Sequence, residues 1–299
     1  CKRVDRRVVN RRSIESLIRV GAFDGIQLNR AILFASVGSA MEFAEQSSLS
    51  TQQVNLFSET EVTAQLPTLL EHVAWSEKAK LQNEKLGLGF YFSGHPFTSY
   101  LKELNQFITT RLDKLRPQRE SQLIAGMIHA VRTQMTKRGK MAIVTLDDGR
   151  ARVDIVIYNE LLSEHSGWLK EDQLLVAKAV IGNSMNDPNE LRITAEKLYD
   201  LTSARSQYAN KIRFTINQSM IDCKLVVPKL KELIITNLSV AKGNLVEAQL
   251  VRCPVTVLYQ NQQAKCEIEL GDTWHVLLSD FFIESVSQLF ESENVEILY

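Results

Sequence analysis

The sequence predicts a multi-domain α+β chain organised around a small β-barrel, and three observations support this. Residues 123–135 and 141–146 read as two strands joined by a basic turn, Thr136-Lys137-Arg138-Gly139-Lys140. Asp147-Asp148-Gly149 then supplies a tight turn, because Asp-Gly tolerates the positive φ such a turn needs. Residues 152–158 alternate polar and apolar, as a half-buried third strand should. Asn159 is placed to cap a short helix reaching Trp168, and residues 173–182 and 191–199 read as two further strands. Strand–strand–strand–helix–strand–strand is the order of an OB-fold, a barrel that often grips single-stranded nucleic acid.

The elements before the barrel are helical. Residues 4–19 carry an apolar stripe of Ile14, Leu17 and Ile18, and Gly21 stops that helix before a short hairpin at residues 22–26. Asn29 caps a second helix over residues 30–46, with Ile32, Leu33, Ala35, Met41 and Phe43 expected on its buried side. A helix, a Gly-containing hairpin and a helix can aim backbone N–H groups at a DNA phosphate, and an ordinary helical hairpin fits the same residues. From residue 47 Ser, Thr and Gln dominate and periodicity vanishes, which reads as a linker over residues 47–72. Inside it lies Gln53-Val54-Asn55-Leu56-Phe57, whose two large apolar residues have no local core to join. Flexible flanks around such anchors suit a motif that docks in a partner's pocket. Residues 73–118 read as a helical connector, in which Phe90, Tyr91 and Phe92 are expected to be core.

The OB-fold barrel is expected over residues 119–203 and a small C-terminal α+β domain over residues 204–299. Residues 212–216, 254–259, 264–270 and 295–298 read as its strands. Helices are expected over residues 220–238, where Pro228 forces a kink or restart, and over residues 279–291. Strand–helix–strand–strand–helix–strand allows a ferredoxin-like arrangement.

Composition narrows the classes of function. With 299 residues, 44% hydrophobic and 23% charged, the chain matches soluble globular proteins. No apolar run approaches the ~20 residues of a membrane span, and no signal-peptide pattern occurs. It begins at Cys1 inside a run that reads as helical, as a fragment of a longer protein would. Four cysteines without a Cys-x-x-Cys pair argue against a zinc site or a disulfide framework, and fit reduced thiols in a cytosol. Thirty-five Lys and Arg balance thirty-five Asp and Glu, yet the charge is polarised. Residues 1–12 and the first barrel turn are basic, whereas no Lys or Arg follows Lys265. A basic block attracts phosphate and an acidic end repels it, so the ends should have different partners.

No catalytic set emerges. Phosphate-loop, dinucleotide, His-Glu-x-x-His and Gly-x-Ser-x-Gly motifs are all missing. Asp147 and Asp148 belong to a turn and Asp154 alternates outward, so a two-metal carboxylate site is not expected and neither metal nor cofactor is assigned. A DNA ligase would need Lys-x-Asp-Gly, and neither Asp24-Gly25 nor Asp148-Gly149 has the Lys two positions earlier. The candidate nucleic-acid-binding residues are Arg132, Lys137, Arg138, Lys140, Arg150 and Arg152 around the first two barrel turns, with Gly21 and Arg30 at the helical hairpin. No Phe, Trp or Tyr occurs from Arg119 to Ile157, so binding should be weak, phosphate-led and salt-sensitive.

Several stretches in this order resemble the C-terminal region of the alpha subunit of bacterial DNA polymerase III. They are residues 17–24 (Leu-Ile-Arg-Val-Gly-Ala-Phe-Asp) with Asn29-Arg30, residues 53–57, residues 88–96 (Leu-Gly-Phe-Tyr-Phe-Ser-Gly-His-Pro), Thr136 to Lys140 with residues 145–148, and Gly271-Asp272-Thr273-Trp274-His275-Val276. The resemblance implies that residues 1–46 end a helix-hairpin-helix domain that grips duplex DNA. It implies that Gln53, Val54, Asn55, Leu56 and Phe57 dock on the sliding clamp, with Val54 where the family often has Leu. The barrel would then sit near single-stranded template, and the acidic last domain would bind the tau subunit of the clamp loader complex. The parent chain would be a cytoplasmic bacterial DNA-directed DNA polymerase whose catalytic carboxylates and metal-binding domain lie upstream. The competing expectation is a free-standing OB-fold nucleic-acid-binding adaptor, which would need no clamp.

Overall fold

The computed structural model describes residues 4, 9–52, 68–136, 139–183, 191–217, 223–243, 251–260, 263–290 and 294–299. The chain divides into two units, Cys1–Pro96 and Phe97–Tyr299.

In the first unit, α1 spans Arg11–Arg19 and begins at Asn10, whose side-chain oxygen accepts a bond from the Ser13 N–H. It starts later than the expected residue 4 because Asn10 caps it there, and only Ile18 of the apolar stripe is fully buried. Asn29 caps α2, Arg30–Gln52, by accepting bonds from the N–H groups of Ala31 and Ile32. This helix runs six residues past the expected end, since no Gly or Pro interrupts residues 39–66. Its buried apolar positions among the described side chains are Ala31, Val37 and Ala44, small residues that allow close packing, while Ile32, Leu33, Ala35, Met41 and Phe43 are half-buried. Residues 68–76 are not helical, and α3 spans Glu77–Leu88 from the Ser76 cap to Gly89 in the left-handed conformation. Phe90 and Phe92 are exposed, which corrects their assignment to a core. In the turn after Gly89 the Phe92 and Ser93 N–H groups donate to the buried Glu84 carboxylate, while the half-buried Tyr91 ring packs on His95.

A 3-10 turn, Pro96–Tyr100, leads from the end of the first unit into the second, where α4, Leu101–Leu104, precedes the barrel. Its strands are β1 Gln118–Thr136, β2 Gly139–Asp147, β3 Arg152–Ile157, β4 Leu174–Asn183 and β5 Leu191–Tyr199. They close in the order β1-β2-β3-β5-β4, with β1 also paired to β4. One strand serves both neighbours because it is long: it pairs with β4 up to Met127 and with β2 from there on, across an irregularity between Ile128 and Ala130. Ile124, Ile128, Val144, Ile155 and Ile193 fill the barrel interior. Leu123, Ala125 and Met127 face the other way and are covered by Phe97, Leu104, Leu201 and Ala204. A stretch without polar side chains is therefore buried on both faces. The helix α5, Asn159–His165, follows β3; Tyr158 occupies its cap position without a side-chain bond, and Asn159 is its first helical residue.

After the barrel, α6 spans Leu201–Tyr208, so the boundary expected after residue 203 falls inside a helix. The last elements are β6 Lys211–Asn217, α7 Cys223–Gly243, β7 Val255–Gln260, β8 Lys265–Glu269, α8 Asp280–Phe290 and β9 Val295–Leu298. Pro228 lies within α7 without ending it. The sheet order is β8-β7-β6-β9, and β6 pairs directly and in parallel with β7. A ferredoxin-like sheet would split that parallel pair with another strand, so this domain is α+β but not ferredoxin-like.

Candidate nucleic-acid interface

The sequence groups the cations of the two barrel turns, but the structure separates them. The turns lie at opposite ends of the nine-residue β2, about 25 Å apart at ~3.3 Å per residue. At the β2–β3 end the charge is largely spent. Arg152 donates to Asp147 at 2.6 Å, and Arg150 lies 3.9 Å from Asp113. Asp148 is buried and accepts from Arg111, Leu112, Arg150 and Ala151. Gly149, at φ +80°, turns the chain back over these acids.

At the β1–β2 end the strands run on past the barrel as an arm, and residues 132–136 are all exposed. Arg132 and Lys140 sit on this arm, and among the described residues neither is paired with a carboxylate. Register places Arg132 opposite Ile143 and Met135 opposite Lys140, so the two cations take opposite faces of the arm. Lys137 and Arg138, which follow Thr136 in the sequence, lie outside the described residues, as do Gln53, Val54, Asn55, Leu56 and Phe57.

The barrel's outer face carries residues that sequence reasoning missed. Ile143, opposite the exposed Arg132, pairs with Val156, which in turn pairs with Thr194, making a row across β1, β2, β3 and β5 whose last three members are half-buried. Beside it Tyr158 is 38% exposed and its hydroxyl accepts a 2.8 Å bond from Arg192. Asn159 packs against Gly139, which brings Tyr158 to the base of the basic turn. The signal was one residue away: the aromatic-free stretch ends at Ile157, and alternation from Arg152 through Asp154 puts Tyr158 on the outward side.

Gly21 and Arg30 belong to the first unit, where the structure gives them an internal task. Arg30 is 7% exposed and makes four hydrogen bonds: two to Asp24 at 2.8 and 2.6 Å, one to Glu84 at 2.9 Å and one to the Arg19 carbonyl at 3.1 Å. Gly21 has φ +84°, and a Cβ there would stand 2.2 Å from the Arg30 guanidinium. Its N–H donates to the Ile18 carbonyl. Gly21 is therefore required so that Arg30 can pass, and both residues serve the fold.

Glu84 is the acid at the centre of this network. Burial alone would push its carboxyl up, but the Ser93 and Phe92 N–H groups and Arg30 outweigh that and hold it below the usual carboxylate value. The Arg30 bond does the same for Asp24. Both acids release their protons more readily folded than unfolded. Their contribution is therefore complete above the ordinary carboxylate pKa, about 4, and is lost as pH falls below it. Trp75, which meets Phe34 edge-to-face at 5.7 Å, can report this by fluorescence once Trp168 and Trp274 are changed to Phe. The denaturant midpoint is expected to fall from pH 7 to pH 3. Glu84→Gln should be weaker at pH 7 yet lose less over that span, and equal losses would refute the assignment.

Comparison with known proteins bears on both units. A family model described as an OB-fold nucleic acid binding domain matches residues 123–201. A second, described as the C-terminal domain of DNA polymerase III subunit alpha, matches residues 245–290. DNA polymerase III subunit alpha of Neisseria meningitidis serogroup B is 34% identical over 298 residues, covering 99% of this chain and 25% of the relative. The chain belongs to the DNA polymerase III alpha-subunit family. The alpha subunit of Escherichia coli K12 is 30% identical over 309 residues, again covering 99% of this chain and 25% of the relative. The chain thus spans about a quarter of the length of these alpha subunits and matches their C-terminal region. A solved OB-fold domain of replication protein A from Methanococcus maripaludis is 15% identical, covering 31% of this chain and 95% of that one at a TM-score of 0.25, and adds nothing to the strand order above. No described helix is long and apolar enough to cross a membrane.

Proposed function

We propose that this chain tethers a replicative DNA polymerase to its template and to its replication partners. The observation that carries the reading is the alpha-subunit match over 99% of the chain, well beyond the barrel. A free-standing adaptor would need to resemble its relatives only there. In this reading polymerisation belongs to the whole protein, and the barrel arm holds single-stranded template through Arg132, Lys137, Arg138 and Lys140. Residues 53–57 dock on the sliding clamp. The C-terminal domain, which has no Lys or Arg after Lys265, binds the tau subunit rather than DNA. A hold on duplex DNA by residues 1–46 comes from the resemblance, and cations other than Arg30 would supply it.

The arm gives the direct test. Lys137→Ala, Arg138→Ala and Lys140→Ala together should weaken binding of a single-stranded oligonucleotide. The salt dependence of the affinity should flatten by about 0.7 log units per lost phosphate contact. Because the Lys140 side chain lies outside the core, the melting temperature should stay within a few degrees. An unchanged salt slope would place the nucleic acid elsewhere.

A further inference from the structure

We propose that Tyr158 and Arg192 form a subsite for one unpaired nucleotide, with the base stacked on the Tyr158 ring and its phosphate held by Arg192. This rests on the reading of the barrel as the single-strand site, and it names the chemistry that distinguishes single strand from duplex there.

Five observations converge on it. Tyr158 ends the outward series Arg152, Asp154 and Val156, so its ring lies on the same face as the Arg132–Ile143–Val156–Thr194 row. It is 38% exposed, so solvent reaches the ring. Arg192 holds the hydroxyl at 2.8 Å, which fixes the ring at its polar end and leaves the rest of the guanidinium for a phosphate. Arg192 is itself exposed, and among the described residues it has no carboxylate partner. The contact between Asn159 and Gly139 keeps this pair beside the basic turn, so a strand bound along the arm would run past the ring.

The chemistry follows. A base offers its π-face to a side chain only when it is unpaired and unstacked, so an aromatic here rewards single strand and is indifferent to duplex. The half-buried Ile143 and Val156 supply an apolar floor beside the ring, and Arg132 closes the far end of the row with a second cation. Because any base has a π-face, the subsite should be tolerant of sequence. It also accounts for how a barrel without aromatics in β1 and β2 could prefer single strand at all.

The test uses the full chain with a fluorescent oligothymidylate and a matched duplex, measured by anisotropy at several salt concentrations. Tyr158→Leu keeps apolar bulk and removes the ring. It should weaken single-strand binding by roughly 5- to 150-fold with an unchanged salt slope and no effect on duplex. Tyr158→Phe keeps the ring but loses the Arg192 bond that fixes it, so it should weaken single-strand binding by less than Tyr158→Leu does. Arg192→Ala should flatten the single-strand slope by about 0.7 log units. If Tyr158→Leu melts early, the Phe and Ala variants, which alter only exposed atoms, carry the decision. An Arg192→Ala slope equal to that of the parent overturns the subsite. If Tyr158→Leu binds as the parent does while the triple change at Lys137, Arg138 and Lys140 weakens binding, the subsite falls and the arm reading stands. If none of these variants changes affinity, both fall.

Discussion

Leu56→Ala combined with Phe57→Ala should abolish measurable binding to the sliding clamp while leaving the melting temperature within a few degrees of the parent. Neither residue belongs to a helical or strand period in the sequence. Burying two such side chains in a partner's pocket is worth about 1.5–3 kcal/mol each. Ordering the flanking chain offsets part of that, which leaves an isolated peptide at roughly micromolar strength. Removing both anchors takes away nearly all of it. Tethering by DNA raises the effective clamp concentration, so the measurement belongs off DNA, with purified clamp and the full chain. Melting temperature and clamp binding should be read on the same sample. A destabilised variant that still binds clamp would mean that these residues pack on their own chain.

Arg205→Ala should destabilise the second unit by about 3–5 kcal/mol, as loss of a buried ion-pair partner usually does. Arg205 is 5% exposed on α6 and donates twice to Glu103, at 2.5 and 2.9 Å, and once to Asp280, at 2.6 Å. A longer bond of 3.3 Å reaches the Leu278 carbonyl. Burial disfavours its charge, but Glu103 and Asp280 more than compensate and hold it protonated. The Tyr299 hydroxyl also donates to Glu103, and Phe107 stacks with Tyr208 at 5.7 Å and Tyr299 at 4.6 Å. One guanidinium thus joins the segment before the barrel, the helix after it and the terminal domain. For a body of this size the loss corresponds to a drop of roughly 6–20 °C in Tm. Arg205→Lys keeps the charge but not the fork, so it should recover only part. A drop below about 2 °C would show that the network contributes little.

That network bears on how separable the domains are. Removing everything after residue 202 cuts α6 before Ala204 and Arg205, which uncovers the outer face of β1 and β4 and leaves Glu103 without its cation. A shortened chain ending there should be less stable, and any loss of binding would then mix folding with recognition.

The barrel was legible because its signals are local. The Asp-Gly turn and the alternation of residues 152–158 each name a strand without reference to anything distant. The limits of α2 and the exposure of Phe90 and Phe92 were not legible. The helix runs on because no Gly or Pro stops it, although its periodicity fades. The rings are left out because the Phe92 and Ser93 N–H groups bond the buried Glu84, a demand that hydrophobic periodicity does not register. Arg30 and Glu84 are 54 positions apart, and Arg205 and Glu103 are 102 apart. A positive residue read alone looks like a phosphate ligand until the acid that holds it is known. The same reasoning separated the cations of the two barrel turns, which sequence proximity had grouped. Arg152 is held by Asp147 five positions away, whereas Lys140 keeps its charge unspent.

The exposed end of β1 has a consequence for how this barrel changes over time. Residues 132–136 extend beyond the core, and the interior side chains that fix the strand pairing lie behind them. Substitution, insertion or recharging at this tip displaces no packed side chain, and surface loops tolerate added length at small cost. If the arm holds nucleic acid as proposed, selection for a tighter or looser hold can act on these positions while selection for a stable barrel acts on Ile124, Val144, Ile155 and their neighbours. The two pressures fall on different residues, so the grip can drift quickly in a barrel whose interior stays fixed.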